Sequence, residues 1–361
     1  MKVLLCSGRF HMGGIEKYVQ DLAMQLQQRG YDVRILVFFY TVPDAIAPLK
    51  EAGIQVSALN GKNGRDPLML LKFWKALRDF RPDIVHMNYL PLLAAPILRL
   101  SSAVVLYTVH QMDYIKAFST MYKNTVNGVI AVSNAVKEYL TSKNFLPKSE
   151  WRVIHNGIEL KPGRKTAEYR PGEPIRLVMV SRLAQDKQPH LAVEILNLLK
   201  TNSPRSYRLT FIGSPDKDDA EYIAGIKARV AELGLEASVE FAGMQKDVFP
   251  WLQSAQGLLM LSRKEACPYN VLEALSVGVP VFSFNVEGGL QDLHQDGVSG
   301  VMTPGSDAEE LARRIDEVFA ENLWEGLSRG ALKNAEKFSV EKMTEKTMGF
   351  YREILNKKNS R

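Results

Sequence analysis

The chain has 361 residues, 46% hydrophobic and 24% charged, with a formal net charge of +6 and two cysteines. That length supplies two ordinary domains, and the composition excludes a disordered or fibrous chain. No apolar run is long enough to span a membrane, and MKVLLCSG is too short an apolar start for a signal peptide. Cys6 and Cys267 lie far apart, form no ligand pattern and fit a reducing compartment.

Lys2 to Ser7 reads as a buried strand, GRFHMGG as a glycine-containing loop, and Ile15, Val19, Leu22 and Leu26 as the buried face of a helix stopped by Gly30. Read alone, Gly13-Gly14 is either a plain strand-to-helix turn or a loop whose amides approach a diphosphate. The G-x-G-x-x-G of a dinucleotide dehydrogenase is missing. Strands are then expected at Asp32 to Phe39, Ile54 to Leu59, Asp83 to Met87, Val104 to His110, Gly128 to Ser133 and Trp151 to Ile154. Their alternation with helices predicts a doubly wound parallel sheet with ligands at the strands' carboxyl ends. His110 stands at such an end, although an isolated histidine is more often structural. From Pro67 to Arg81, Leu70, Phe73, Trp74, Leu77 and Phe80 fall on one helical face, with Lys72, Lys75 and Arg78 on the other.

LKPGRKTAEYRPGEP, from Leu160 to Pro174, has the composition of a linker. Beyond it, strands are expected at Ile175 to Ser181, Tyr207 to Gly213, Ser238 to Gly243, Gly257 to Leu261, Val279 to Phe284 and Gly300 to Thr303. SRLAQDKQP puts Arg182 and Lys187 after the first of these. Two cations across a turn could grip a diphosphate, or simply form a solvated basic loop. Asp216 and Asp218 make a D-x-D, read here as a solvated cluster before a helix, with no metal expected. The most informative stretch is LSRKEACPYNVLEALSVGVPVFSFN, a strand, loop, helix and strand. Pro268 stands at the first helical position, Asn270 in the first turn, and Gly278 ends the helix. Its N-terminus could take a phosphate, while Glu265 before it and Glu273 within it could accept hydrogen bonds from sugar and ribose hydroxyls. A loop glutamate and a helix glutamate paired with a lysine would look the same in isolation. A last amphipathic helix runs from about Val340 to Asn356.

This stretch resembles the E-x7-E region of retaining glycosyltransferases with the GT-B fold, in particular glycosyltransferase family 4. FAGMQKDVFPWLQSAQGLLMLSRKEACPYN upstream and VEGGLQDLHQDGVSGVMTPG downstream extend the resemblance, which covers nearly the whole chain. It implies two Rossmann-like parallel-sheet domains facing a cleft. Residues 1–165 would bind the acceptor and residues 166–339 the nucleotide sugar, and the terminal helix, 340–361, would pack back on the first domain. It also implies that Gly13, Gly14, Arg182 and Lys187 lie against the donor diphosphate and that His110 and Glu265 contact the transferred sugar. Gly213, Pro268, Tyr269, Asn270 and Val271 would line the donor, Met244 would meet the base through its main chain, and Glu273 would hold the ribose. His-Asp or His-His-Asp is common after the fifth strand in that family. Here the residues are His110-Gln111-Met112-Asp113, so no role passes to Asp113.

The expected activity is therefore retaining transfer of a sugar from a UDP- or GDP-sugar to a glycan, lipid-linked or small-molecule acceptor, as in cell-surface polysaccharide or glycolipid synthesis. The nucleotide sugar is a substrate, and neither a metal nor another cofactor is expected. A nucleotide-sugar epimerase and a non-catalytic scaffold share the fold and remain alternatives. Residues 1–160 carry 19 Lys and Arg against 12 Asp and Glu, whereas residues 161–361 carry 27 against 28. The excess positive charge in the first half suits an anionic membrane surface, with the helix from Pro67 as the contact, or an ordinary surface helix on the sheet. The expectation is a cytoplasmic protein with access to the inner face of the membrane and no nucleic-acid partner.

Overall fold

The computed structural model describes residues 1–11, 13–112, 116–160 and 167–360. They form two compact units. One is Met1–Glu159 together with Ser339–Arg361; the other is Leu160–Phe338.

The first unit holds seven parallel strands: β1 (Lys2–Ser7), β2 (Asp32–Val37), β3 (Gln55–Ala58), β4 (Ile84–Met87), β5 (Val104–Val109), β6 (Gly128–Ala131) and β7 (Glu150–Val153). Their spatial order is β3-β2-β1-β4-β5-β6-β7, with the chain reversing direction across the sheet between β1 and β4. The central strands are buried along their whole length, as β4 and β6 show. A parallel strand covered by helices on both faces needs a continuous apolar run rather than alternation. The expected strands are all present, most ending one or two residues early because the last residues already turn into the following loops.

The helix Val340–Asn359 belongs to this unit. Ser339 bridges Ile158, and Tyr351 hydrogen-bonds His86 Nδ1 at 2.5 Å. His86 Nε2 meets Thr108 Oγ1 at 2.6 Å, and Tyr18 reaches the same hydroxyl at 3.3 Å. Every polar atom in this buried chain has a partner, which makes its burial tolerable and fixes the register of the last helix.

The helix Pro67–Phe80 is capped by Asp66, whose carboxylate accepts from the Leu68 and Met69 amides. Its buried stripe is Met69, Phe73, Leu77 and Phe80, so Met69 stands in for the expected Leu70 and Trp74 drops out of the stripe. Leu70 is half-buried, and Trp74 is exposed with the Arg78 guanidinium over its ring at 4.8 Å. Leu68 and Leu71 are also exposed.

The second unit has the same plan. Strands β8 (Ile175–Val180), β9 (Tyr207–Ile212), β10 (Val239–Gly243), β11 (Gly257–Met260), β13 (Val281–Asn285) and β15 (Gly300–Pro304) make a parallel sheet in the order β10-β9-β8-β11-β13-β15. Two short strands, β12 (Lys264–Glu265) and β14 (Glu287–Gly288), pair outside it. The sequence reading did not anticipate this second pairing.

Candidate active site

In the second unit the carboxyl ends of β8, β9 and β11 and the start of the helix Tyr269–Ser276 lie together. Asn270 ties them: its Nδ2 donates to the Val180 carbonyl at 2.7 Å, and its Oδ1 accepts from the Val271 amide at 2.8 Å. One side chain thereby fixes the helix start against the strand end that leads into Arg182. Pro268 is the extended residue before the helix rather than its first member, with φ −72° and ψ 128°, and no side chain caps the helix. Val271, Leu272, Ala274 and Leu275 bury the opposite face, as their spacing predicts. Glu273 is half-buried one turn further on.

The loop after β8 makes a short 3-10 turn, Gln185–Lys187, that brings Lys187 back toward the strand end. Lys187 Nζ lies 2.7 Å from Glu265 Oε1 and 3.3 Å from Asp186. The Lys187 and Glu265 side chains are only 19% and 15% exposed, so this pair is shielded from water. Arg182 meets Asp216 at 2.6 Å and Asp186 at 3.7 Å, with both ends of the first pair more than half exposed. Asp216 is 62% exposed just before the 3-10 turn Lys217–Asp219, as the sequence reading has it, and is in addition the counter-ion of Arg182. Among the described residues no group of three or more His, Cys, Asp or Glu is placed to hold a metal ion.

Two glycines are dictated by close approach. Gly213, at φ +138°, would put a Cβ 1.9 Å from the Ser181 carbonyl oxygen. Only glycine lets the end of β9 lie against the residue that precedes Arg182. Gly288, at φ +132°, would put one 1.7 Å from the Glu265 carbonyl oxygen, and the Gly289 amide donates to that oxygen at 2.7 Å. Gly288 and Gly289 therefore hold the backbone that presents Glu265. Sequence reasoning assigned them no role, although the paired glycines of VEGGLQDL stand in plain view. Met244 is 65% exposed, just past the end of β10.

The first unit carries the remaining expected residues. Gly13 is extended and precedes the helix Gly14–Gln28. The Glu16 carboxylate lies over the Gly13 backbone and 3.7 Å from His11 Nε2. Burial raises the Glu16 pKa. His110 follows β5, edge-on to Tyr18 at 4.9 Å, with Nε2 2.9 Å from Asn88 Oδ1. Loss of water lowers its pKa to about 3, so the ring is neutral at physiological pH. With Asn88 Oδ1 as acceptor, Nε2 carries the proton and Nδ1 keeps its lone pair. Asp113 lies outside the described residues.

Two parallel sheets of this strand order, each with helices between its strands, define the GT-B class of fold. The chain belongs to glycosyltransferase family 4. The family description "Glycosyltransferase Family 4" matches residues 12–161, and "Glycosyl transferases group 1" matches residues 164–338. The D-inositol 3-phosphate glycosyltransferase of Acidothermus cellulolyticus is 24% identical across 95% of this chain and 86% of its own length. The putative colanic acid biosynthesis glycosyltransferase WcaL of Salmonella typhimurium is 28% identical, over 47% of this chain and 42% of its own. Among solved structures, Anabaena HepE in complex with UDP superposes with a TM-score of 0.84 and 19% identity, covering 98% of this chain and all of that one. At that identity the likeness speaks for the fold.

Proposed function

We propose that the protein transfers a sugar from a nucleoside-diphosphate sugar to a glycan, lipid-linked or polyol acceptor, with retention of configuration and without a metal ion. The observation that carries this reading is the Lys187–Glu265 pair beside Arg182, at the helix start that Asn270 fixes. A cation for a diphosphate and a carboxylate for a sugar hydroxyl stand within one hydrogen bond of each other. The donor's diphosphate takes Lys187 and Arg182 from Glu265 and Asp216, so that Glu265 is released to accept from a sugar hydroxyl. Glu273 holds the ribose, and the main chain near Met244 meets the base. His110, neutral, orients the sugar. As the glycosidic bond to the diphosphate breaks, negative charge grows on the leaving oxygen, and fixed positive groups stabilise it without reorganising. The new bond forms on the same face, and the acceptor's proton passes to the leaving diphosphate. No carboxylate needs to protonate that leaving group, so Glu265 and Glu273 act as binding groups.

Support for the donor class comes from HepE, solved with UDP and with UDP-glucose, and for the acceptor classes from the names of the relatives. A panel of UDP- and GDP-sugars in a thermal-shift assay tests donor binding, because a ligand of the native state raises its stability by mass action. Turnover followed by NMR of the product's anomeric proton tests retention. Activity that disappears with EDTA and returns with manganese would refute metal independence. Donor binding without transfer to any acceptor would favour the scaffold reading.

Charge and surface support contact with an anionic membrane. The first unit carries 25 Lys and Arg against 15 Asp and Glu, the second 21 against 25. Leu68, Leu71 and Trp74 are exposed on the helix that also carries Lys72, Lys75 and Arg78. No helix among the described residues is long and apolar enough to cross a membrane. Apolar side chains beside cations suit insertion at a lipid surface. Sedimentation with anionic vesicles at low salt, and its loss at high salt or in Trp74→Glu, is the expected result. Indifference to anionic vesicles at low salt would refute it.

A further inference from the structure

A cavity of about 560 Å³ opens in the first unit at the carboxyl ends of β1, β2 and β4, and none of the expected site residues lines it. Its chemistry is specific. Phe39, Tyr40 and Tyr89 supply ring faces and edges, with Phe39 and Tyr89 edge-on at 5.4 Å. Asn88 is 6% exposed, and its Nδ2 is buried without a hydrogen-bond partner among the described residues, while its Oδ1 meets His110. A buried amide donor left without a partner in a polar pocket is costly unless a ligand or water completes it.

Two cations line the same cavity. The Arg9 guanidinium makes no hydrogen bond and no ion pair among the described residues, and lies over the Tyr40 ring at 5.8 Å. Its backbone is pinned on both sides. Ser7 Oγ donates to the Arg9 carbonyl at 2.9 Å, and Phe10, fully buried, exchanges backbone hydrogen bonds with Tyr40 and Val42. Lys62 interacts electrostatically with Asp66 but makes no ion pair with it. Among the described residues the lone carboxylate lining the cavity is Glu16, which is turned toward His11. Aromatic walls suit a sugar ring, the amide suits its oxygens, and an unpaired guanidinium on a pinned backbone, together with an ammonium, suits a negative substituent.

We propose that this cavity is an acceptor subsite for a sugar or polyol bearing an anionic group, a carboxylate or a phosphate, held by Arg9 and Lys62. The assignment rests on the glycosyltransferase reading and names the acceptor class for it. Asn88 joins the two parts of the first unit's machinery, binding the acceptor through Nδ2 and His110 through Oδ1.

Ligand-observed NMR titrations of the whole protein with glucose, glucuronate and glucose 6-phosphate test this, with UDP affinity measured on the same samples by calorimetry. Both anionic sugars are expected to bind about 10-fold or more tighter than glucose. Arg9→Ala and Lys62→Ala should each erase most of that preference and leave UDP affinity unchanged, and Arg9→Lys should keep part of it. Either order of the two anionic sugars supports the proposal and tells a carboxylate acceptor from a phosphate one. Glucose binding as tightly as the anionic sugars, no binding of either anionic sugar at millimolar concentration, or a preference untouched in both alanine variants would overturn it. If wild-type protein binds the anionic sugars but not UDP or any nucleotide sugar, the functional reading fails while the pocket assignment stands.

Discussion

Replacing Lys187 with alanine separates the two jobs assigned to its ion pair. In the ligand-free protein Lys187 is bonded to Glu265 at 2.7 Å, and both side chains are mostly shielded from water. Truncation removes one fixed cation from the developing charge on the leaving diphosphate, a loss of about 2–4 kcal/mol, or roughly 30- to 1,000-fold in turnover. It also leaves Glu265 as an unpaired carboxylate beside an incoming diphosphate, so UDP affinity should fall as well. Glu265→Gln acts oppositely on the two quantities. It frees Lys187 for the diphosphate, so UDP affinity should hold or rise, while turnover falls because the sugar loses its acceptor. The double variant should recover UDP affinity relative to Lys187→Ala without recovering turnover. UDP calorimetry and a nucleotide-release assay on the three proteins give the comparison. A Lys187→Ala enzyme within about 3-fold of wild type in both measurements would remove this residue from the diphosphate site, because such a change is under 1 kcal/mol.

Asp216→Asn should tighten UDP binding about 2- to 5-fold, the scale of an exposed ion pair that the diphosphate need no longer displace from Arg182; weaker binding would mean that Asp216 positions Arg182 rather than competing for it. Gly288→Ala should leave a folded protein with displaced Glu265, losing turnover while keeping UDP binding; full activity would show that the β12–β14 pairing does not set the Glu265 geometry. Burial lowers the pKa of His86 and His110 to about 3 and of His294 to about 4. Between pH 6.5 and those values the unfolded chain takes up protons that the native state refuses, so stability falls with pH by up to about 1.4 kcal/mol per pH unit for each histidine. Urea unfolding at pH 7 and pH 5 should show this loss, and His294→Gln should reduce it; an unchanged difference would mean that His294 is protonated in the native state.

The central strands of the two sheets are legible because they are buried on both faces, so apolar runs mark them without knowledge of their neighbours, while the half-exposed edge strands β3, β7 and β10 are marked by their place in the alternation with helices. The helix Pro67–Phe80 shows where that signal fails. It has apolar side chains at Leu68, Met69, Leu70, Leu71, Phe73, Trp74 and Leu77, so hydrophobicity extends around most of its circumference, and spacing cannot choose which stripe is inward. Packing chose Met69, Phe73, Leu77 and Phe80, and left Trp74 to Arg78.

The candidate site divides along a similar line. Groups fixed by their own element were legible: Asn270 and Glu273 on one helix, Arg182 and Lys187 after one strand. Groups defined by a partner far along the chain were not. Asp216 acquires its role from Arg182, 34 residues away, and Asn88 from His110, 22 residues away. In the proposed reading both bear on binding rather than on the fold: Asp216 is the partner that a diphosphate would have to displace from Arg182, and Asn88 leaves one amide donor without a partner among the described residues in a cavity whose other polar lining is mostly cationic and aromatic. Local pattern can therefore point to the proposed donor site, whose cations follow one strand and whose carboxylates flank one helix start. The proposed acceptor subsite is assembled from single residues on separate loops, Arg9 after β1, Tyr40 after β2, Lys62 after β3 and Asn88 after β4, and only the order of strands in the sheet brings them to one cavity.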